Sequence, residues 1–405
     1  MFPDRSPKPA LWEHRHLASP VRISGAPGDL AAGRVTITNR QYVRGLDWLA
    51  ATWELATESG TLASGDVELP AIGPGASATV VLSGWPDADR LADTEAWLTI
   101  RFRTPVELAW APAGFEVCAG QLPVGAAAAA SASADPTVDP DAPAVQVDAA
   151  GLLVHPLLAA PPTLSLWRAP TDNDRIGGMG AQWVAWGLDR LSRTLDGIDR
   201  DGSTVVVRST YLGSASVAAS HVQRLSPLAN GGVRVEEEVE IPAELTDLAR
   251  VGTVFETVPG LEQLTWFGAG PHETYPDRKR GGLLGAWQST VTEQAVRYAR
   301  PQENGGHADG RWLELRDAAG AGARITLGKP SQVSATHFRA ADLDAARHDV
   351  ELKAVASTVI ELDAAHRGLG TASCGPDTLP EYLVGPGTYR WSWTIEPLAG
   401  HAEGR

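Results

Sequence analysis

The sequence predicts an all-β protein, with a small β-sandwich followed by a large antiparallel β-sheet assembly. Short segments with β-branched or aromatic residues in partial alternation recur along the chain, separated by Gly/Pro/Asp/Ser clusters, a pattern typical of antiparallel strands. The 405 residues include 42 glycines and 29 prolines, too many turn formers for a long helical bundle. Strand patterns do not alternate with helical ones, so the chain does not contain a barrel of βα units.

The first hundred residues contain the strands of the small sandwich. Turn clusters such as IGPGAS and GWPDAD separate segments with strand patterns, at the spacing of a β-sandwich of about 100 residues. These segments are Arg34–Asn39, Asp47–Leu55, Ala78–Leu82 and Ala96–Arg103.

An Ala- and Pro-rich stretch follows and predicts a domain boundary. Residues 119–144 have little to bury and contain several prolines, so they are interpreted as a linker. The run of alanines alone is also compatible with a short helix. We expect a connector at 1–19, a sandwich at 20–113, a linker at 114–144 and a large β-domain at 145–400.

The strand pattern returns after this stretch and continues to residue 397. In the segment Gly232–Pro242, four aliphatic residues are expected to face a core, and the run Glu236–Glu240 is interpreted as a solvated sheet face with Glu237 interrupting the alternation. One helix is predicted over Ala181–Leu195, which carries an apolar stripe. The other predicted strands are Ser203–Gly213, Trp312–Arg316, Ala323–Gly328 and Thr388–Glu396.

Composition and charge exclude several classes of protein. The 34 Lys and Arg against 49 Asp and Glu give a net charge of −15, which argues against nucleic acid as a partner. No run of about 18 apolar residues is present, so we expect no membrane span, and the N-terminal segment lacks the apolar stretch of a signal peptide. Two cysteines, Cys118 and Cys374, cannot form a disulfide framework. We therefore expect a cytoplasmic protein.

Three polar, Gly-rich segments stand out as candidate sites. The first, residues 166–183, offers carboxylate and amide groups that can bind sugar hydroxyls or a hard cation. Its candidate substrate-binding residues are Asp172, Asn173, Asp174, Gly177 and the neighbouring Trp183. The alternative is structural, with Asp172 and Asn173 in an Asx-turn and Asp174 as a cap.

The second segment, residues 266–282, contains His272 and Glu273, which are further candidates for binding substrate. Adjacent residues on a strand point to opposite faces, so a structural network of Glu273, Asp277 and Arg278 is an equal alternative. In the third segment, residues 300–312, Asn304 and Gly305 are expected to form a tight turn. We expect Glu303 to pair with Arg311.

Other chemistries find no support. The chain has no phosphate loop, no GxSxG, no HExxH and no CxxC pair, and its ten histidines lack metal-ligand spacing, so no metal site is predicted. Most of the 14 tryptophans are expected to fill β-cores, in particular Trp48, Trp53, Trp391 and Trp393. Those near the first polar segment, Trp167, Trp183 and Trp186, are the candidates for stacking on a sugar.

The three segments, read in order as LWRAPTDND, WFGAGPHETYPDR and PQENGG, resemble the C-terminal part of the family 2 β-galactosidases. The opening FPDRSPKPALWE is similar to the connector after the family's catalytic barrel, and RGLGTASCGPDTLPEY matches a variant of its C-terminal region. This resemblance implies an immunoglobulin-like β-sandwich for the first domain. For the second, it implies a large β-supersandwich similar to galactose mutarotase.

The resemblance also implies what this chain does not carry. In the family, the acid/base Glu, the nucleophile Glu and the metal ligands belong to a TIM barrel whose motifs are absent here. No catalytic residue is therefore predicted, and the divalent metal and sodium are expected in the barrel part. The segment Asp172–Gly178 matches a mobile loop that borders the active site. No Trp stands near Gly375, so the aglycone platform that some members carry is not transferred.

Several functions remain open. The first is a β-galactosidase component, inactive alone, which binds a β-galactoside such as lactose together with a large barrel-bearing subunit, a homo-oligomer being common in the family. The second is a stand-alone carbohydrate-binding module, and the third a truncated, inactive gene product. The fourth is aldose epimerisation, for which only His272, His307 and His337 are loose candidates.

Overall fold

The chain divides into two units, each with a hydrophobic core of its own. In the computed structural model, residues 1–87, 91, 95–125, 138–214, 218–370 and 375–400 are described. The small unit comprises Met1–Ser131 with Arg280–Ala286, and the large unit comprises Ala132–Lys279 with Trp287–Arg405.

The small unit is a β-sandwich, as predicted. Its described strands form a three-stranded sheet in the order β1-β2-β5 and a four-stranded sheet in the order β4-β3-β6-β7, an arrangement of the immunoglobulin-like class. Trp53 is buried in its core, and Trp48 packs half-buried against it. The elements are α1 (Ala10–Leu17), β1 (Val21–Ser24), α2 (Pro27–Ala31), β2 (Arg34–Asn39), β3 (Ala50–Thr57), β4 (Gly60–Val67), β5 (Ser77–Val81), β6 (Ala96–Arg103) and β7 (Glu116–Val124).

Strand β7 lies inside the range 114–144 that was predicted as a linker. It pairs antiparallel with β6 along its whole length, from Ala96↔Val124 to Arg103↔Glu116. Its residues are mostly half-buried and do not alternate clearly between buried and exposed. Backbone pairing therefore forms this strand without a strong side-chain pattern. The run of alanines lies in 126–137, outside the described residues.

The described strands of the large unit form a single twelve-stranded sheet, which confirms the predicted antiparallel assembly. The strands are β8 (Leu158–Ser165), β9 (Ser192–Asp201), β10 (Thr204–Leu212), β11 (Ala218–Pro227), β12 (Val233–Ile241), β13 (Arg250–Thr257), β14 (Gln263–Gly270), β15 (Leu283–Thr290), β16 (His307–Arg316), β17 (Gly322–Thr336), β18 (Thr358–His366) and β19 (Gly387–Leu398). The main path of the sheet runs β15-β14-β16-β17-β19-β12-β11-β10-β9, and β13 pairs with both β18 and β8.

Short helices and turns connect these strands. The first two, α3 and α4, follow β8 and carry the first polar segment. They are α3 (Asp172–Ile176), α4 (Met179–Trp186), α5 (Val291–Gln294) and α6 (Ala340–Ala345), with 3-10 turns at Leu188–Arg190, Asp349–Glu351 and Pro380–Tyr382.

Strand β12 shows how alternation builds the core of the large unit. Its four aliphatic residues are buried, as predicted, and they lie in one cluster with Trp391 and Trp393 of β19. Glu236 is half-buried, and Glu238 and Glu240 are exposed. The prediction for Glu237 was wrong, because this residue continues the alternation and faces the core, where it is buried.

The helix predicted over Ala181–Leu195 is shorter than expected. It spans Met179–Trp186 and ends where Gly187 takes a left-handed conformation with φ of 75°, a conformation that glycine adopts at little cost. A 3-10 turn follows, and β9 begins at Ser192. The apolar stripe therefore combined residues of a helix with those of a strand.

Replacing Gly187 with alanine should destabilise the large unit by roughly 1–3 kcal/mol. Besides the positive φ, an added Cβ would overlap the backbone nitrogen of Ser214. The matched control is Gly197→Ala in β9, where a Cβ meets open space. Urea unfolding should separate the two variants, and equal midpoints would refute the role of Gly187.

Candidate functional site

The three polar segments come together in the large unit. The N–H of Glu303 donates to the carbonyl of Ala169 at 3.0 Å. The N–H of Gly305 donates to the Glu273 carboxylate at 2.8 Å, and the N–H of Asp172 donates to the side chain of Gln302 at 3.2 Å. Residues that are far apart in sequence thus form one polar cluster behind the Asp172–Gly178 loop.

The loop itself begins with a capping box. Thr171 is the N-cap of α3, and its hydroxyl accepts the N–H of Asp174, whose carboxylate accepts the N–H of Thr171. Such a reciprocal pair satisfies two helix-end donors. Asp172 and Gly177 are exposed, Asn173 is half-buried and Asp174 is buried. Asp172 and Gly177 thus face solvent, while Asp174 has the structural role that was the alternative prediction.

Two anchors hold this loop to the segment that follows β18. Arg168 and Asp174 form a buried bidentate ion pair, with nitrogen–oxygen distances of 3.2 and 2.8 Å. The same guanidinium donates to the carbonyl of Arg367 at 2.6 Å, and the side chain of Asn173 donates to the carbonyl of Gly370 at 2.6 Å. The exposed face of the loop is therefore supported by satisfied, buried polar groups.

Behind these anchors, one buried guanidinium faces three carboxyl groups. Arg250 contacts Glu361 and lies 2.6 Å from Glu303 and 3.7 Å from Asp363. Burial alone would lower the pKa of Arg250, but the three carboxylates raise it well above its ordinary value. Burial raises the pKa of Glu303 to about 7, against the attraction of Arg250, and raises that of Asp363 well above its usual range.

Glu303 does not pair with Arg311 as we expected. Arg250, which lies on β13 far away in sequence, takes that place, and the hydroxyl of Tyr275 donates to the same carboxyl group at 3.3 Å. At Asn304–Gly305, where a tight turn was predicted, Gly305 takes the left-handed φ of 71° that such a turn needs, but its N–H donates to the Glu273 carboxylate instead of closing a turn.

Glu273 binds three hydrogen-bond donors. Its carboxylate accepts from Arg278 at 2.5 Å, from the hydroxyl of Tyr298 at 2.6 Å and from the N–H of Gly305 at 2.8 Å. The side chain is almost completely buried. Glu273 and Arg278 therefore pair as predicted, whereas Asp277, the third member of the predicted network, accepts the N–H groups of Leu369 and Gly370. The neighbouring His272 is half-buried.

Trp183 is not available to a sugar in this conformation. The residue is 0% exposed, lies in the core of the large unit and donates its indole N–H to the carbonyl of Asp247 at 2.8 Å. Trp167 is also buried, and Trp186 packs half-buried against the core. Among the candidates for contacting a ligand, Asp172, Asn173 and Gly177 remain on the accessible side of the loop.

Two of the histidines considered for epimerisation, His307 and His337, are held by neighbouring polar groups. Burial lowers the pKa of His307 to about 4, and its ring nitrogens lie 3.0 Å from the carbonyl of Ala269 and 2.9 Å from Gln294. The ring of His337 pairs instead with Glu262 at 2.7 Å. Both rings are thus engaged in structural contacts.

Four residues of the polar cluster were not predicted from the sequence, namely Arg250, Glu361, Asp363 and His366. All four are buried; Arg250 lies on β13 and the other three lie on β18, and no recognised motif marks them in the sequence. Glu237 could have been found, since it has the same parity as Val235 and Val239 in a strand whose odd positions face the core.

The pKa of Glu303 predicts a pH dependence of stability. Because its folded pKa of about 7 exceeds the unfolded value, the folded state holds this proton more tightly, and the contribution of Glu303 to stability should fall as pH rises from about 4.5 to 7, by up to about 3 kcal/mol. Buried His307, whose pKa is lowered, contributes in the opposite direction, so Glu303→Gln should make stability change with pH more positively than in the native chain. Urea titrations between these pH values test it, with Glu236→Gln as a surface control; a slope unchanged in Glu303→Gln would contradict the assignment.

Models of known protein families match residues in both units of the chain. The family model described as β-galactosidase small chain matches residues 145–395, and the model described as β-galactosidase domain 4 matches residues 35–125. The chain belongs to the β-galactosidase small-chain family. The small-chain match covers the cluster around Arg250 and the Asp172–Gly178 loop, so these features lie within the family's own domain.

Curated relatives of the chain are described as β-galactosidases. A β-galactosidase of Arthrobacter sp. is 30% identical over 95% of this chain and 41% of its own length. That of Priestia megaterium is 26% identical over 98% of this chain and 40% of its own length, and that of Kluyveromyces lactis is 26% identical over 94% and 37%. The chain thus spans about 40% of the length of these β-galactosidases.

Similar solved structures include two aldose-epimerase-like proteins. An aldose epimerase homologue from C. elegans is 11% identical and covers 51% of this chain and 69% of its own, with a TM-score of 0.30. A putative aldose 1-epimerase from Escherichia coli is 12% identical and covers 51% and 68%, with a TM-score of 0.28.

Two further properties concern metals and membranes. Within the described ranges, no group of three or more His, Cys, Asp or Glu side chains is placed to hold a metal ion. Among those same residues, no helix has the length and apolar character required to cross a membrane.

Proposed function

We propose that this small-chain protein is a β-galactosidase component that completes an active site whose catalytic carboxylates belong to a barrel-bearing chain. The observation that carries the proposal is the family match over residues 145–395, within a chain that spans about 40% of its β-galactosidase relatives. The substrate is a terminal β-D-galactoside such as lactose. The partner is a large barrel-bearing subunit, in a soluble cytoplasmic assembly that can include further copies of this chain.

The chemistry of the described carboxylates supports a non-catalytic role. A retaining glycosidase needs two carboxyl groups about 5–5.5 Å apart on either side of an accessible scissile bond. The three carboxyl groups around Arg250, those of Glu303, Glu361 and Asp363, are at least 90% buried and share this guanidinium. This arrangement stabilises the fold rather than placing two carboxyl groups on either side of a bound sugar. The divalent metal and the sodium ion remain assigned, as a proposal, to the barrel part.

The Asp172–Gly178 loop is the part that would contribute to substrate binding. It exposes Asp172 and Gly177 to solvent, while the buried Arg168–Asp174 pair holds its base. Carboxylate and amide groups on such a supported loop can hydrogen-bond sugar hydroxyls and exclude water once a sugar is bound. We therefore assign the Asp172 carboxylate to the substrate, together with the side-chain carbonyl oxygen of Asn173, whose amide hydrogens bind the carbonyls of Leu369 and Gly370.

The test is co-expression with the barrel-bearing part of the Arthrobacter relative, followed by an assay of lactose and nitrophenyl-galactoside hydrolysis. Neither part alone should be active, and the mixture should be. Asp172→Ala should raise KM or lower kcat/KM by roughly 10-fold, the scale of one lost hydrogen bond, whereas the exposed Glu238→Gln should have no effect. No gain in activity on mixing would refute the proposal.

Sugar binding by this chain alone has less support. The aromatic platform expected at Trp183 is buried, so the loop lacks a ring on which a pyranose could stack. Isothermal titration with galactose and lactose should give no saturable heat at millimolar sugar in the absence of the barrel-bearing chain. Saturable binding would favour the stand-alone carbohydrate-binding function instead.

A further inference from the structure

The large unit contains a partly enclosed cavity of about 270 Å³ that is separate from the Asp172–Gly178 loop. One wall is formed by α5 and the chain that follows it, and the other by the segment between β17 and the 3-10 turn Asp349–Glu351. Most of its lining side chains are apolar, and two of them, Tyr298 and Phe338, are aromatic. Mostly apolar cavities with a few placed polar groups are typical of small-molecule sites.

The two aromatic residues are held in different ways. The hydroxyl of Tyr298 donates to the Glu273 carboxylate at 2.6 Å, and this hydrogen bond holds the Tyr298 ring in position. Phe338 is half-buried and follows directly on His337. The cavity therefore presents aromatic surface on opposite sides, which suits a flat ring better than a branched aliphatic group.

Donors outnumber acceptors among the polar groups of the cavity. Asn304 uses its carbonyl oxygen for the N–H of Val296 at 2.9 Å and one amide hydrogen for the carbonyl of Gln302 at 2.8 Å, which leaves one N–H. Arg297 lies at the rim of the cavity, and its side chain is 73% exposed. One of its guanidinium nitrogens lies 3.1 Å from a carboxylate oxygen of Asp349. The guanidinium keeps further N–H groups for an incoming acceptor.

The remaining charges of the lining compensate each other. The ring of His337 lies 2.7 Å from Glu262 and 2.8 Å from the carbonyl of Ser357, and Glu262 also accepts the N–H of Thr292 at 3.1 Å. Asp349 is the acidic group that faces Arg297. Glu262, which lies outside the lining, is therefore engaged by neighbouring groups, and Asp349, the acidic residue of the lining, is paired with Arg297. The acidic group of a ligand would bind at the rim, on the same guanidinium.

We propose that this cavity binds a small aromatic carboxylate, with its ring between Tyr298 and Phe338 and its carboxylate on Arg297 and Asn304. The apolar lining selects the ring, and the spare N–H groups select an acceptor of hydrogen bonds rather than a donor. This site is independent of galactoside hydrolysis, since none of its residues belongs to the exposed part of the loop.

The experiment is isothermal titration of the full chain with 1-naphthoate, compared with the neutral 1-naphthylmethanol and with galactose. Naphthoate should bind one-to-one with a Kd of about 1 mM or tighter, the alcohol at least about fivefold more weakly, and galactose not at all. Absence of saturable naphthoate binding up to about 10 mM would overturn the proposal.

Two variants distinguish this cavity from other surfaces. Ala354→Trp places a large ring at the exposed edge of the cavity and should abolish naphthoate binding without changing the unfolding midpoint. Arg297→Gln, at an exposed position, should weaken naphthoate at least fivefold and leave the alcohol unchanged. If naphthoate binds both variants as tightly as the native chain, the assignment to this cavity is wrong.

Discussion

Replacing Arg250 with methionine should lower the free energy of unfolding of the large unit by about 3–5 kcal/mol, the usual cost of removing one partner from a buried ion pair. The native guanidinium is fully buried and faces Glu303, Glu361 and Asp363. Without it, these carboxyl groups would remain close together without a counter-charge. Some would take up protons, so the loss should be smaller at low pH than at neutral pH.

Urea unfolding followed by tryptophan fluorescence at pH 5 and at pH 7 measures this loss. The matched control is Arg390→Met, which removes an exposed guanidinium that pairs with Glu238 and should change stability by less than about 1 kcal/mol. An Arg250→Met midpoint close to that of the control would show that the buried cluster contributes little to stability.

Glu237→Gln should destabilise the large unit by about 2–4 kcal/mol, because a buried carboxylate with several donors loses its charge and one acceptor oxygen. The carboxylate accepts from the indole N–H groups of Trp393 at 2.7 Å and Trp391 at 3.1 Å. Its other contacts are with His221 at 2.8 Å, Gln223 at 3.2 Å and Thr253. Burial alone would raise the pKa of Glu237, but these hydrogen bonds, led by that of His221, lower it.

In the variant, the amide NH₂ must face at least one of these donors, and the two indoles should change their fluorescence as a result. The neighbouring Glu238→Gln is the control, since Glu238 is exposed and its replacement should shift stability by no more than about 0.5–1 kcal/mol. Equal unfolding midpoints for the two variants would contradict the role assigned to Glu237.

The sequence predicted those parts of the fold in which side-chain alternation and burial coincide. The segments Arg34–Asn39 and Ala96–Arg103 form strands with the predicted bounds, and Thr388–Glu396 lies within β19. Strand β7 was missed because its half-buried residues do not alternate. The helix at Met179–Trp186 was extended too far because Gly187 was not interpreted as its end.

The exposed residues of the candidate site were predicted from the sequence, whereas most of its buried residues were not. The three polar segments were marked by composition, and they do meet in the structure. Their support comes from single polar residues on distant strands, such as Arg250 on β13 and Asp363 on β18. Such contacts depend on which strands pair across the sheet, and the sequence around a residue does not indicate this pairing. Glu303 was therefore predicted to pair with Arg311, which is near it in sequence.

The most direct measurement is covalent trapping in the mixture with the barrel-bearing part, using a slow galactoside that accumulates the glycosyl-enzyme intermediate, followed by the intact mass of each chain. We expect one galactosyl group on the barrel-bearing chain, none on this chain, and much less labelling when this chain is left out. A galactosyl group on this chain, or equal labelling of the barrel-bearing chain in its absence, would contradict the proposal that this protein completes the active site without supplying a catalytic carboxylate.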